Sequence, residues 1–184
     1  MNSRKKLYFM RHFEALHNIQ PYNFNIPDPD LSPHGRTQAQ ETIEHVKSIP
    51  QIDLIVCSPL TRTIQSYLLV FADRLDIPLI IHPDLQEKCT EPCDTGSSIQ
   101  DLKQKFPNLI EQLSTFDEHE WLDKLNPESI YSPERITERC QRFLDWIRTR
   151  SEENIFVISH NLLLKQLCNQ KSDFKNGEIK LFDV

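Results

Sequence analysis

Arginine and histidine stand together at the end of a short apolar run near the start of the chain. The run covers residues 7–10 (LYFM), and Arg11-His12 follows it directly, with Asn18 a short loop further on. Histidine can act as a nucleophile or carry a proton near neutral pH. Arginine is a permanently charged, fork-shaped ligand for anions. The pair therefore indicates chemistry on an anionic group, with phosphate as the first candidate.

A second histidine ends another apolar run in the same way. Residues 155–159 (IFVIS) precede His160. A single case is usually a buried structural histidine, but two apolar strands that both end in histidine favour a shared site. The carboxyl ends of parallel strands meet at one edge of a sheet, where open α/β folds bind ligands. Both histidines are therefore expected at that edge.

Two more segments bring polar side chains to the same edge. Arg62 falls in the first turn of a helix that follows the apolar run 53–57. Its guanidinium is expected near the free N–H groups at the helix start, which attract phosphate; an exposed arginine is the alternative. Glu87 follows the apolar run 78–82 and could donate a proton there. For Glu87 alone, a solvated side chain is the simpler interpretation.

Strand-like runs alternate with helical patterns along the chain. Residues 7–10, 53–57, 78–82 and 154–159 predict buried strands, and residues 179–182 predict a terminal edge strand. Serine before proline predicts an N-cap and a first helical turn. This signal occurs at residues 32–33, 58–59 and 132–133, with the last two helices expected over 59–76 and 133–150. The pattern predicts an α/β fold of three layers, α/β/α, around a mostly parallel central sheet.

The chain is expected to form a single domain over residues 1–184, because no shift in composition marks a boundary. Residues 98–130 are helical in part, with a break at Phe106-Pro107, and are expected to lie over one end of the sheet as a cap. Residues 19–31 are rich in Pro, Asn and Asp and predict a loop beside the end of the first strand.

Charge and composition exclude several classes of partner. The net charge of −6 argues against nucleic acid and against an anionic membrane surface. No run is long and apolar enough to span a membrane, and the start does not resemble a signal peptide. The five scattered cysteines predict free thiols in a reducing compartment. These features predict a cytoplasmic location and leave a nuclear one open; the oligomeric state is not indicated.

The sequence does not contain the motifs of several other hydrolases and phosphate-binding proteins. Cys57 and Arg62 are one position too close for the loop of tyrosine-phosphatase-like enzymes, and residues 28–32 lack the preceding strand that an aspartyl nucleophile needs. Three glycines cannot build a P-loop. Cys89 and Cys93 lack a second pair of ligands at zinc spacing, so no metal is expected. No G-x-S-x-G segment supports a serine hydrolase.

Five segments, in order along the chain, resemble motifs of the histidine phosphatase superfamily, in the branch shared with cofactor-dependent phosphoglycerate mutases. Arg11-His12 with Asn18 is similar to the Arg-His-Gly signature and its following Asn. Residues 30–39 resemble the L-T-x-x-G-x-x-Q-A segment and residues 58–66 the S-P-x-x-R-x-x-Q-T segment. Residues 85–87 resemble the acid segment, and residues 157–160 the strand of the second histidine. His17-Asn18 and residues 93–96 look more like phosphatase-type members than true mutases.

The resemblance implies a phosphoglycerate mutase-like fold and a metal-independent phosphatase without a cofactor, acting on a small phosphate ester. His12 would form a phosphohistidine. Arg11, Arg62 and His160 would hold the phosphoryl oxygens, and Asn18 would add a hydrogen bond. Glu87 would protonate the leaving alcohol and then activate water.

Two departures from the family pattern carry their own expectations. Phe13 stands where Gly or Ala is found, and is expected to narrow the pocket. Asn161 replaces the Gly after the second histidine and is expected to tolerate left-handed backbone there. A mutase and a non-catalytic anion-binding or scaffold protein are the alternatives. The short chain favours hydrolysis over the mutase, and the retained polar residues disfavour the scaffold.

Overall fold

The computed structural model describes residues 4–117 and 121–183. Within them, five strands form one sheet in the order β3-β2-β4-β1-β5. The strands are β1 (Lys6–Arg11), β2 (Leu54–Cys57), β3 (Leu79–Ile81), β4 (Asn154–Ser159) and β5 (Ile179–Asp183). All neighbouring pairs are parallel except β1 and β5. The predicted mostly parallel sheet and its terminal edge strand are therefore confirmed.

Alternate side chains of the buried strands belong to two separate hydrophobic clusters, one on each face of the sheet. Phe156 and Ile158 pack on one face with α1 (Pro33–Lys47) and α2 (Thr61–Val70). Ile155 and Val157 pack on the other face with α4 (Ile136–Thr149) and α5 (Asn161–Leu167). Successive strand residues point to opposite faces, so each apolar run supports a helical layer on both sides. The predicted α/β/α layering follows directly.

The expected helix over 59–76 is wrong at both ends. α2 begins at Thr61, with Leu60 in the N-cap position and no side-chain cap, and it ends at Val70. Leu75, which falls inside the predicted range, lies beyond the end of the helix and is 72% exposed. Ser132, expected to cap the helix that follows it, makes no side-chain cap. A 3₁₀ turn (Pro133–Arg135) separates it from α4. Ser32 does cap its helix, accepting a hydrogen bond from the Gly35 N–H at 2.9 Å.

The segment expected to form a cap includes α3 (Ile99–Lys105), which ends directly before the predicted break at Phe106-Pro107. Its apolar residues join the cluster on the α1 and α2 side: Leu102, Phe106, Leu109 and Leu113. Residues 118–120 lie outside the described residues, so the cap stays a prediction. In the described ranges no helix has the length and apolar character needed to cross a membrane. All five cysteines are free thiols, as predicted.

Candidate active site

His12 follows β1 directly, and its ring is buried. The Phe13 carbonyl oxygen lies 2.6 Å from Nδ1. Because a carbonyl can only accept, Nδ1 carries the proton, which leaves the lone pair of the neutral ring on Nε2. The Arg62 Nε–H donates to that Nε2 at 3.2 Å. The ring is thus oriented from both sides, with its lone pair on Nε2.

The surroundings keep His12 neutral. Burial lowers its pKa well below the ordinary value, and the positive charges of Arg62 and Arg11 lower it further. A histidine with a lowered pKa holds its lone pair at neutral pH. His12 therefore has the protonation state that a nucleophile needs.

Arg62 lies in the first turn of α2, as predicted, and its side chain is only 1% exposed. Besides contacting His12, it donates from Nη1 to the Cys93 carbonyl oxygen at 2.5 Å and from Nη2 to Asp94 Oδ1 at 2.9 Å. Three of the five N–H groups of the guanidinium are thereby fixed. The remaining two make no hydrogen bond within the described residues.

Asp28 anchors the turn that carries Arg62. Its carboxylate accepts hydrogen bonds from the N–H and the hydroxyl of Thr61, at 2.9 and 2.7 Å. It also accepts from the N–H and the hydroxyl of Ser97, at 3.1 and 2.8 Å. Asp28 itself adopts positive φ, at 36°, which aspartate tolerates better than most residues. The helix start is thus capped by a distant loop, not by its own serine.

His160 is fully buried at the end of β4, and its ring centroid lies 5.2 Å from that of His12. Ser58, expected to cap α2, instead lies 2.8 Å from His160 Nε2 through its Oγ. That Oγ accepts from the Leu60 N–H at 3.4 Å. Among the described residues the buried hydroxyl proton has no other acceptor, so it is donated to Nε2. The proton of the neutral His160 ring then resides on Nδ1. Burial, followed by the charge of Arg62, lowers the pKa of His160 well below its ordinary value.

The segment after β1 adds a third imidazole that the site prediction omitted. The His17 ring centroid lies 6.0 Å from that of His12. Asn18 accepts from the Ala15 N–H through Oδ1, so its Nδ2 donates to His17 Nε2 at 3.0 Å. Asn18 therefore orients His17 and places the ring proton on Nδ1. Burial, and then the charges of Arg62 and Arg11, lower the pKa of His17 to about 3.

Arg11 ends β1, and its Nη1 donates to the Phe174 carbonyl oxygen at 2.7 Å. Its Nε is buried and has no hydrogen-bond partner among the described residues. Burial lowers the pKa of Arg11, as does the charge of Arg62, whereas Glu87, Asp173 and Tyr22 oppose that effect. An arginine remains charged under these conditions. Arg11 thus offers a free, buried N–H donor beside His12.

Glu87 joins the acid segment to the start of α5. Its carboxylate accepts hydrogen bonds from the N–H groups of Lys88, Leu162 and Leu163, at 2.8, 3.1 and 3.0 Å. Two of these donors belong to the first turn of the helix that follows His160. A carboxylate at a helix N-terminus is favourably placed. Glu87 is therefore buried and fixed next to the second histidine, not solvated.

Lys124 is a buried cation that sequence reasoning missed. Its side chain is 2% exposed, and Nζ donates to the carbonyl oxygens of Glu87 and Asp94, at 2.8 and 2.7 Å. Burial, and then the nearby charge of Arg139, lower its pKa from 10.5 to about 7. Lys124 thus links the segment after residue 120 to two loops of the site.

We expect replacement of Lys124 with methionine to change how stability depends on pH. Between the lowered pKa of about 7 and the unfolded value of about 10.4, the unfolded chain holds a proton that the folded chain has released. The free energy of unfolding therefore increases as pH rises through this range and decreases as pH falls toward 7. From about pH 7 to pH 9 the wild type should gain about 2 kcal/mol relative to Lys124→Met, measured by urea unfolding. If the free energy of unfolding changed with pH in parallel for the two proteins, this prediction would be wrong. Lys171→Met, at an exposed position, is the control for the loss of one positive charge.

The structure shows how the two departures from the expected motif are accommodated. The Phe13 ring is fully buried and belongs to the hydrophobic cluster on the α1 and α2 side of the sheet. A Cβ on Gly177, where φ is +75°, would lie 2.8 Å from that ring, so the glycine makes room for the phenylalanine. Asn161 needs no left-handed backbone, because it is the first residue of α5. Its side chain donates to Asp173 at 3.1 Å.

The six predicted residues thus lie at the carboxyl edge of the sheet, but not all touch His12. Asn18 acts on His17, and Glu87 contacts the start of α5. The residues missed by the prediction are His17, Ser58, Asp94, Lys124 and Asp28. His17 alone had a local signal, since it precedes Asn18. The others are brought in by contacts between distant segments.

The chain is similar to known proteins both in sequence and in fold. Residues 7–184 match the family described as the histidine phosphatase superfamily (branch 1). Phosphoglycerate mutase-like protein 1 of Arabidopsis thaliana is 26% identical over 215 residues, which cover 96% of this chain and 75% of that protein. A protein of Schizosaccharomyces pombe named probable phosphatase is 31% identical over 110 residues, covering 56% and 50%. The alpha-ribazole phosphatase from Shigella flexneri shares the fold, with a TM-score of 0.65, 22% identity and coverage of 97% and 90%.

Proposed function

The chain belongs to branch 1 of the histidine phosphatase superfamily, and from that premise we propose that it hydrolyses phosphate monoesters through a phosphohistidine on His12. The proposal assigns Arg11, Arg62 and His160 to the phosphoryl group, with Asn18 acting through His17. Glu87 is assigned to proton transfer. The positive charge that the reaction needs comes from these side chains, so the proposed steps require no metal ion.

One observation carries the proposal. Around the neutral His12, three buried nitrogen atoms lack a hydrogen-bond partner in the described part of the chain: Arg11 Nε, His17 Nδ1 and His160 Nδ1. Leaving a buried donor unpaired costs about 1–3 kcal/mol, so such atoms need an explanation. A phosphoryl group offers several oxygen acceptors at once. Its binding would satisfy these donors together with the two unused N–H groups of Arg62.

The reaction then proceeds in two displacements. The Arg62 Nε–H turns from His12 Nε2 to a phosphoryl oxygen, which frees the lone pair on Nε2. His12 Nε2 then attacks phosphorus, and the bond from phosphorus to the alcohol oxygen breaks as the phosphorus–nitrogen bond forms. The alcohol oxygen takes a proton from Glu87, which enters this step in its protonated form. In the second step water attacks phosphorus, the phosphorus–nitrogen bond breaks, and Glu87 takes back a proton. The products are the alcohol and inorganic phosphate, with His12 neutral again.

The test is to trap the intermediate. The protein is mixed with a ³²P-labelled phosphomonoester, quenched in alkali and analysed for label on His12, since phosphoramidates survive alkali and break down in acid. We expect labelled protein and release of inorganic phosphate at a matching rate. Hydrolysis with no alkali-stable label on the protein would overturn the phosphohistidine route.

Glu87→Gln should lower the rate unevenly across substrates. A general acid contributes about 10²–10⁴-fold, and its contribution is largest when the leaving group is a poor one. We expect a much greater loss with an alkyl phosphate than with p-nitrophenyl phosphate, measured as kcat/KM. An equal loss with both esters would show that Glu87 only fixes the start of α5. Glu91→Gln changes an exposed carboxylate of the same loop and serves as the control.

The name of the Arabidopsis relative favours a second candidate, transfer of the same phosphoryl group to another hydroxyl. Isomerisation of 3-phosphoglycerate, assayed with and without 2,3-bisphosphoglycerate, separates the two activities. Isomerisation that outpaces release of inorganic phosphate would favour the phosphotransferase.

A further inference from the structure

Two aromatic side chains stand exposed in the loop that follows the first site segment. Tyr22 is 58% exposed and Phe24 47% exposed. Their ring centroids are 5.9 Å apart, with an interplanar angle of 15°. Exposed aromatic rings lose the benefit of burial, and a stacked pair that is half exposed leaves an outer apolar ring face open to solvent. Such a face is suited to stacking against a planar group.

The backbone fastens this aromatic pair to two residues that belong to the site. The Asn23 N–H donates to the His17 carbonyl oxygen at 3.4 Å, and the Cys93 N–H donates to the Phe24 carbonyl oxygen at 3.1 Å. His17 neighbours His12, while the Cys93 carbonyl oxygen accepts from Arg62. These two hydrogen bonds therefore hold the loop beside His17 and Cys93, next to the side chains proposed to bind phosphate.

The pair lies near Arg11 and in a stretch with other exposed apolar side chains. Tyr22 is close enough to Arg11 to raise the pKa of its guanidinium, and its hydroxyl accepts from Gln20 Nε2 at 3.3 Å. Leu16 and Ile19, in the same stretch, are also exposed, as is Leu162 in the first turn of α5. Binding pockets combine a few placed polar groups with apolar and aromatic lining. An exposed apolar rim next to buried cations matches a substrate with an anionic end and an apolar end.

We propose that Tyr22 and Phe24 form a platform for the leaving group, and that the preferred substrates are phosphate monoesters whose alcohol carries an aromatic ring. This rests on the proposed function, in that the phosphate end of the substrate occupies the site around His12. The ring of the alcohol then stacks on the pair at the mouth. Tyr22 and Phe24 are specificity-determining residues in this scheme, and take no part in the bond changes.

The experiment compares benzyl phosphate, cyclohexylmethyl phosphate and ethyl phosphate, whose primary alcohols leave with similar difficulty. We expect the wild type to show a kcat/KM about three- to tenfold higher for benzyl than for cyclohexylmethyl phosphate, the size of an aromatic pairing beyond burial. The double variant Tyr22→Leu, Phe24→Leu keeps apolar side chains but removes both rings. It should lose that preference, so that benzyl and cyclohexylmethyl phosphate are hydrolysed with similar kcat/KM. Leu75→Ala, an exposed apolar residue beyond the far end of α2, should keep the preference.

Binding of the corresponding phosphonates, measured by calorimetry, separates the two proposals. A ring preference in binding that the double variant loses, without turnover of any ester, would support the platform and overturn the hydrolase. Turnover of all three esters at similar rates, with no ring preference in binding, would overturn the platform and leave the hydrolase standing. A ring preference that persists in the double variant would also overturn the platform.

Discussion

Replacing His12 with alanine should lower kcat/KM by about 10⁴-fold or more, the scale of loss when a covalent nucleophile is removed. The neighbouring donors would still bind phosphate, but no atom would remain to attack phosphorus. The variant should also carry no ³²P label after alkaline quenching. The measurement is initial rate on p-nitrophenyl phosphate, with inorganic phosphate binding recorded in parallel to show that the anion site persists.

His45→Ala is the matched control, because His45 is exposed on α1. It should retain wild-type activity. The lowered pKa of His12 adds a second readout: its neutral form persists as pH falls through the ordinary range of histidine, about 6.5. Activity should therefore not decline there through protonation of His12. A His12→Ala protein with half the wild-type rate would show that another group attacks phosphorus.

The parts of the site that the sequence could predict are those with a local signal. An apolar run that ends in histidine marks both the strand and the end at which its side chain emerges. His12 and His160 follow from that pattern, and parallel pairing of β1 with β4 brings them together. Arg62 follows in the same way from its position after β2. In each case one short segment contains both the element and the functional residue.

The residues that could not be predicted depend on contacts between distant segments. Asp94 pairs with Arg62 across 32 positions, and Lys124 reaches Asp94 across 30. Ser58 is instructive, because its local pattern predicts an N-cap while the structure turns its hydroxyl toward His160, 102 positions away. The place of the Phe13 ring in the core depends on Gly177, 164 positions away, where a Cβ would lie 2.8 Å from the ring. Tertiary packing decides all four positions.

Arg62→Lys should lower kcat/KM by about 10²–10³-fold, the usual cost of removing one donor that stabilises transition-state charge. The substitution keeps the positive charge, so the loss measures geometry. Arg62 is held in a rigid fork by His12, by the Cys93 carbonyl oxygen and by Asp94, at 3.2, 2.5 and 2.9 Å. A lysine ammonium is a single point charge on a flexible stem and cannot make these contacts while also meeting the phosphoryl oxygens.

Two control variants distinguish the loss of this geometry from a loss of folding or of charge as the cause of the lower rate. Arg36→Lys, at an exposed position on α1, should leave kcat/KM unchanged. Asp94→Asn keeps an oxygen acceptor for Nη2 and removes its charge, so it should lower the rate less than Arg62→Lys does. Thermal unfolding of each variant shows whether the protein remains folded under the assay conditions. Wild-type activity in a folded Arg62→Lys protein would mean that charge alone suffices, and that the contacts to Asp94 and Cys93 serve only the fold.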